Sequence, residues 1–182
     1  MRDPATLRTK VVARDDVALI VDTVGLDALM DEMIERLTEA IVSFDETRTV
    51  VRTRDGFHYH EPNVGLVEWM PVLQTGEAAT VKMVGYHPHN PEMHQLPTIL
   101  STISVYETAT GHLSGLADGT FLTALRTGAA SAVASRVLAR PSSNVVGLVG
   151  CGAQSITQLH ALLRLFPIEQ VLIADSKQAN ID

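Results

Sequence analysis

The sequence predicts an α/β protein in two parts, an α+β region built on an antiparallel sheet followed by the opening of a parallel β-α-β domain. Three observations carry this. Apolar residues recur at three- and four-residue steps near the amino end, alternating β-branched segments fill the middle, and an apolar strand, a glycine turn and a helix follow Pro141. With 46% apolar and 19% charged residues in 182, the chain can bury a real core, so disorder is not expected. A net charge of -7 and no Lys/Arg cluster argue against a nucleic-acid surface, which needs clustered cations.

The elements follow in order. A strand is expected over 10–13 and a short helix over 15–24. Leu26, Leu29, Met30, Met33, Ile34, Leu37, Ile41 and Phe44 then mark one face of a long amphipathic helix, read as core or dimer packing. Beyond Glu46 come strands at 49–53, 65–71 and 80–85, the last two joined through Thr75-Gly76, while Asp55-Gly56 reads as a hairpin-type turn. Residues 86–97 hold three prolines and read as a long loop. Strands 98–106 and 112–117 bracket a turn at 108–111. An alanine-rich helix spans 119–139 and ends at Arg140-Pro141. After it come strand 145–149, a helix to about Phe166 and strand 171–174. The expected division is 1–118, a connecting helix over 119–140, and 141–182.

No secretory signal follows Met1, and no apolar run approaches the roughly 20 residues that span a bilayer, so the expectation is a cytoplasmic protein with no membrane partner. The lone Cys151 has no internal disulfide partner and no activating base beside it in sequence, and it reads as a small filler. His58 and His60, like His87 and His89, have a spacing that would put both rings on one strand face, but no third ligand cluster follows and no metal is expected.

The strongest motif is Gly150-Cys151-Gly152-Ala153-Gln154-Ser155, set between an apolar strand and a helix. In a parallel β-α-β unit the helix amino terminus points its unpaired N-H groups beyond the first strand, where a pyrophosphate fits. Gly150 supplies the tight turn and Gly152 the close backbone approach, while Ser155 stands where Gly or Ala is usual. Asp175 ends the next strand, about 20 residues on, where a carboxylate accepts from an adenosine ribose. Its charge would repel a 2'-phosphate, so NAD is expected over NADP, and Lys177 works slightly against that preference.

The segments Val67-Glu68-Trp69-Met70-Pro71, Val81-Lys82-Met83-Val84-Gly85-Tyr86, Leu96-Pro97-Thr98, Thr123-Ala124-Leu125-Arg126-Thr127-Gly128-Ala129-Ala130-Ser131 and Gly150-Cys151-Gly152-Ala153-Gln154, in that order, resemble the ornithine cyclodeaminase and mu-crystallin family. The likeness runs from about Arg54 to Asp175 and is nearest to its bacterial lysine cyclodeaminase branch.

That resemblance implies a substrate-binding and dimerisation domain in the amino-terminal half, a Rossmann domain binding NAD, and a homodimer. Arg54 and Lys82 would hold the substrate carboxylate, with Arg52 as an alternative to Arg54 on the same strand face. Glu68 and Met70 would line the amino-acid pocket. Thr98, Arg126, Ala153, Gln154 and Asp175 would contact NAD, with Arg126 near the substrate as well. The implied activity is conversion of ornithine to proline, or of lysine to pipecolate, with release of ammonia. NAD takes a hydride from Cα and returns it after cyclisation, so it acts catalytically.

The family's catalytic aspartate would lie beyond Asp182. One β-α-β unit also holds only the adenosine half of a dinucleotide. The sequence therefore reads as an amino-terminal fragment, inactive by itself. Simpler readings stand beside these: Lys82 as an edge lysine, Glu68 as the outward residue of an alternating strand, Arg126 as a helix-surface cation. Rival functions are an imine reductase or amino-acid dehydrogenase of the same superfamily, and a non-catalytic NAD-binding crystallin-like protein.

Overall fold

A computed structural model of the chain describes residues 7–181. Its contacts form two compact units, one of residues up to 18 with 44–121, the other of 19–43 with 122 onward.

The first unit is a seven-stranded sheet of β1 (Lys10–Val12), β2 (Thr49–Val51), β3 (Asp55–Tyr59), β4 (Gly65–Gln74), β5 (Ala78–Tyr86), β6 (Ile99–Glu107) and β7 (Leu113–Asp118). Its order is β1-β7-β6-β5-β4-β2, with β3 also pairing β4. The middle strands are joined by turns whose glycines take the left-handed region, Gly76 at φ 80° and Gly111 at φ 73°. That is why the turns fall where Thr75-Gly76 and Gly111 predict them.

Three features differ from expectation. The sheet is mixed, because β1 runs parallel to β7 with Val11 opposite Leu116. Asp55-Gly56 is not a turn but opens β3, with Gly56 opposite Glu68. A Cβ at Gly56 would collide with the Val67 carbonyl and the Glu68 backbone, so this glycine serves close strand approach. Within 86–97 the chain forms a one-turn helix, Asn90–His94, entered at a proline and left through Gln95 at φ 55°.

The strand predicted to end at Pro71 continues to Gln74. Pro71 lies between the residues that β2 and β3 pair, Val72 and Trp69, and offers no N-H there. The register shifts there: the Arg52 amide still bonds the Pro71 carbonyl at 3.3 Å, and pairing resumes one residue out of step at Asp55 opposite Trp69. Arg52 and Arg54 therefore do not alternate on one strand face.

The second unit contains α2 (Leu26–Val42), most of α4 (Thr120–Leu138), β8 (Val145–Val149), α5 (Ala153–Leu165) and β9 (Gln170–Ala174). The remaining helices are α1 (Arg14–Val24) and α3, the name given to Asn90–His94. β8 and β9 pair in parallel, the crossover topology predicted from the sequence. Helix α2 belongs with this unit. It buries Met30 and Ile34, and its Asp31 takes a two-pronged bond from Arg164 of α5 at 2.6 and 2.7 Å. Asp27 accepts from Arg164 at 3.0 Å and pairs with His160 at 2.7 Å. The Arg164 bond holds the Asp31 carboxyl below its ordinary range.

In α4 the buried positions Leu125, Gly128, Ala129, Ala132 and Val133 follow the helical period and are mostly small, giving a slender face. Gly128 lies against the α5 backbone at Thr157 and Gln158.

Candidate functional site

In the first unit, four of the predicted substrate residues form one neighbourhood. Met70 on β4 stands directly opposite Lys82 on β5, and Glu68 opposite Val84. Residues two apart on a strand share a face, so Glu68, Met70 and Lys82 line one side of the sheet, with Ile103 of β6 across from Lys82. Arg54 reaches this group from the broken edge, its Nη1 3.4 Å from Glu68 Oε1. The Arg54 side chain is 66% exposed and that of Glu68 only 15%, so Glu68 is not the outward residue of an alternating strand. Lys82 is half-buried and engaged in a polar interaction of its own. Two cations, one carboxylate and an apolar thioether thus share one patch.

Thr98 precedes β6, and its carbonyl accepts the His87 amide at 2.8 Å. The His87 ring in turn bonds the Tyr59 hydroxyl at 2.7 Å across the buried Gly65. No sequence motif flags this Tyr59-His87 pair. Of the H-x-H histidines, His58, His60 and His89 are exposed, and among the described residues no group of three or more His, Cys, Asp or Glu could hold a metal. No helix among those residues is long and apolar enough to cross a membrane.

In the second unit, the chain leaves β8 through Gly150 at φ 92°, a conformation natural to glycine, and the Gly150 amide bonds the Ala174 carbonyl at 2.8 Å. Gly152 caps α5 without a side-chain hydrogen bond, and a Cβ there would meet open space. The first amides of α5, at Ala153 and Gln154, stand at its positive end. Ser155 turns its hydroxyl back to the Gly152 carbonyl at 2.7 Å, so the third small position is self-contained. Arg126 is exposed on α4. Cys151 is half-buried and donates its amide to Asp175 Oδ2 at 2.7 Å.

Asp175 follows β9 and accepts two further bonds at Oδ1, from the Lys177 amide at 2.7 Å and Asn180 Nδ2 at 3.1 Å. The Cys151 amide, then the Lys177 amide and the Asn180 side chain, hold its carboxyl below the usual range, so it is ionised at neutral pH. Asn180 lies five residues past the acid, in no motif that would have drawn attention to it. An open glycine turn, a free helix terminus and an oriented carboxylate fit the phosphates and ribose of a dinucleotide.

A parallel strand-helix-strand unit with these features is of the Rossmann type, carried here in one chain with a mixed β-sheet. The chain belongs to the ornithine cyclodeaminase/mu-crystallin family, whose profile matches residues 14–182. It is 40% identical over 172 residues to the L-lysine cyclodeaminase of Streptomyces rapamycinicus, covering 94% of this chain and 50% of that protein. A solved lysine cyclodeaminase, described as recognising L-lysine, L-ornithine and L-2,4-diamino butyric acid, superposes with a TM-score of 0.89 at 48% identity, over 94% of this chain and 50% of the other. The Thermococcus litoralis Delta(1)-pyrroline-2-carboxylate reductase, solved with NADH and L-proline, gives 0.78 at 32% identity, over 94% and 51%. The chain spans about half the length of the relatives it matches.

Proposed function

We propose that this chain supplies the substrate-binding and nucleotide-binding residues of an NAD-dependent cyclodeaminase acting on a basic L-amino acid, lysine or ornithine. The observation that carries it is the patch in which Lys82 faces Met70 beside the Arg54-Glu68 pair. A zwitterion with an apolar stem needs cations for its carboxylate, an acceptor for an ammonium and an apolar wall between them. Arg54 and Lys82 give the first, Glu68 the second and Met70 the third. In the second unit Gly150, Gly152, Ala153 and Gln154 hold the phosphates and Asp175 the ribose, with Arg126 as a further cofactor contact; Thr98, proposed as another, belongs to the first unit. When bound, NAD supplies reversible hydride acceptance at the substrate's α-carbon. The protein's own work is to fix the carboxylate so that this carbon is presented in one orientation.

The proposed division follows the sequence, 1–118 for substrate and dimerisation, 119–140 as connecting helix, and 141–182 as the start of the cofactor domain, with residues 19–43 packing with the last of these rather than with the sheet. The catalytic aspartate belongs to the half of the relatives' length that this chain does not span.

We also propose a homodimer through the first unit's sheet. Phe57, Val67, Trp69, Met83, Leu100 and Leu116 share the face opposite Lys82, and Phe57, Met83, Leu100 and Leu116 are exposed on it. An apolar sheet face of that extent marks an interaction surface. Sedimentation equilibrium is expected to give twice the chain mass, and Phe57→Glu with Met83→Glu the single mass. A monomeric wild-type chain would refute the dimer.

Activity is tested in a fusion of residues 1–182 to the carboxy-terminal half of the Streptomyces rapamycinicus enzyme. Given L-lysine or L-ornithine and a trace of NAD, it is expected to release ammonia and the cyclic amino acid without accumulating NADH. A relative named as a reductase favours a second reading, net imine reduction. Stoichiometric NADH consumption with a cyclic imine, and no ammonia from either diamino acid, would decide for that reading. Cofactor binding with neither turnover would point to the crystallin-like alternative.

A further inference from the structure

We propose that Asn180 is a positioning residue for cofactor choice, locking the Asp175 carboxylate so that a single acceptor site on Oδ2 is left for one ribose hydroxyl. This rests on the cofactor reading above and extends it to a residue outside the nucleotide motif. An ionised carboxylate has about four lone-pair sites, two on each oxygen. Among the described residues, Oδ1 is filled by the Lys177 amide and Asn180 Nδ2, while Oδ2 takes only the Cys151 amide. One site therefore remains, on the oxygen that also holds the glycine turn.

Asn180 supplies the only side chain among the three donors, at the end of the short 3-10 turn Gln178–Asn180, and both of the others are backbone groups fixed by chain geometry. Without it, Oδ1 regains an acceptor site and the carboxylate is held by two backbone amides alone. A ribose donor then meets an acceptor that is less firmly oriented, while the charge that faces a 2'-phosphate is unchanged. NADH binding should weaken. NADPH, which gains nothing from the carboxylate, should bind nearly as before.

The test is fluorescence titration of the 182-residue chain with NADH and with NADPH. Asn180→Ala is expected to weaken NADH about five-fold, the worth of one ordinary hydrogen bond because Asn180 acts through Asp175, and to change NADPH by less than about two-fold. Asn180→Asp, of the same shape but without the donor, should weaken NADH at least as much. Carbon NMR of the Asp175 carboxyl should show its titration moving up in Asn180→Ala, since a donor to the charged form is gone. Asn144→Ala is the control, because it removes a 3.0 Å bond to Glu169 at the opposite end of the same two strands. It should change neither cofactor.

Equal losses for both cofactors, or an unmoved Asp175 titration, would overturn the positioning role while leaving the cofactor reading intact. A wild-type chain that binds neither cofactor would overturn both.

Discussion

Replacing Lys82 by methionine in the fusion enzyme is expected to lower kcat/KM for lysine and ornithine by about 100- to 1,000-fold, the cost of stripping a half-buried charge partner from a bound ion. Lys82 sits on β5, between β4 and β6, opposite Met70 on one side and Ile103 on the other. Methionine keeps the length and apolar stem, so the half-buried strand position remains filled and the sheet should form unchanged. The lost element is the fixed positive charge. A substrate carboxylate would then rely on Arg54, whose side chain is largely exposed and already shared with Glu68. Exposed pairs of that kind contribute little and are screened by salt.

Steady-state kinetics with an ammonia readout measures the effect, and circular dichroism checks the fold. NADH affinity should not change, because Lys82 is not among the proposed cofactor contacts. A Lys82→Met enzyme within about ten-fold of wild type would remove the carboxylate clamp from the mechanism.

How far the sequence could be read depended on the range of the interactions involved. The α2 stripe is legible because Met30 and Ile34 meet the core at the helical period. The β8-α5-β9 unit is legible because strand, glycine turn, helix and acid are consecutive in sequence. What was misread depends on distant partners. Asp55-Gly56 has the local chemistry of a turn, yet the β4 backbone at Val67 and Glu68 crowds Gly56 and makes it a strand glycine. A three-residue β1 pairing in parallel with β7, about a hundred residues away, leaves no periodic signal.

The site divides in the same way. Glu68, Met70 and Lys82 follow from strand alternation once the β4-β5 register is known. Arg54 against Arg52 could not be resolved from alternation, because a one-residue register shift opposite Pro71 separates them. The ribose-side arrangement was half visible. Asp175 stands at a motif spacing, but its occupied lone pairs depend on Asn180 and on a backbone amide, and backbone amides have no sequence signature.

The largest stability effect is expected from the smallest change, Gly128→Ala. On helix propensity alone, alanine should stabilise an interior helix glycine by about 1 kcal/mol. The structure reverses the sign. Gly128 is buried on α4, and an added Cβ would run into the carbonyl group of Thr157 in α5 and lie 3.1 Å from the Gln158 amide nitrogen. Those atoms belong to helix backbone, which cannot swing aside as a side-chain tip can. Relief requires the two helices to separate, which also loosens the small-residue packing at Ala129 and Ala132. Overpacking of this kind costs roughly 3 kcal/mol, which lowers the melting temperature by about 10 °C.

Gly147→Ala provides the contrast, since a Cβ on that β8 glycine meets nothing within 4 Å, and it should leave the melting temperature unchanged or slightly raised. Thermal unfolding followed by far-ultraviolet circular dichroism compares the two. If Gly128→Ala melts at or above wild type, the close approach of α4 to α5 is not a constraint on this fold.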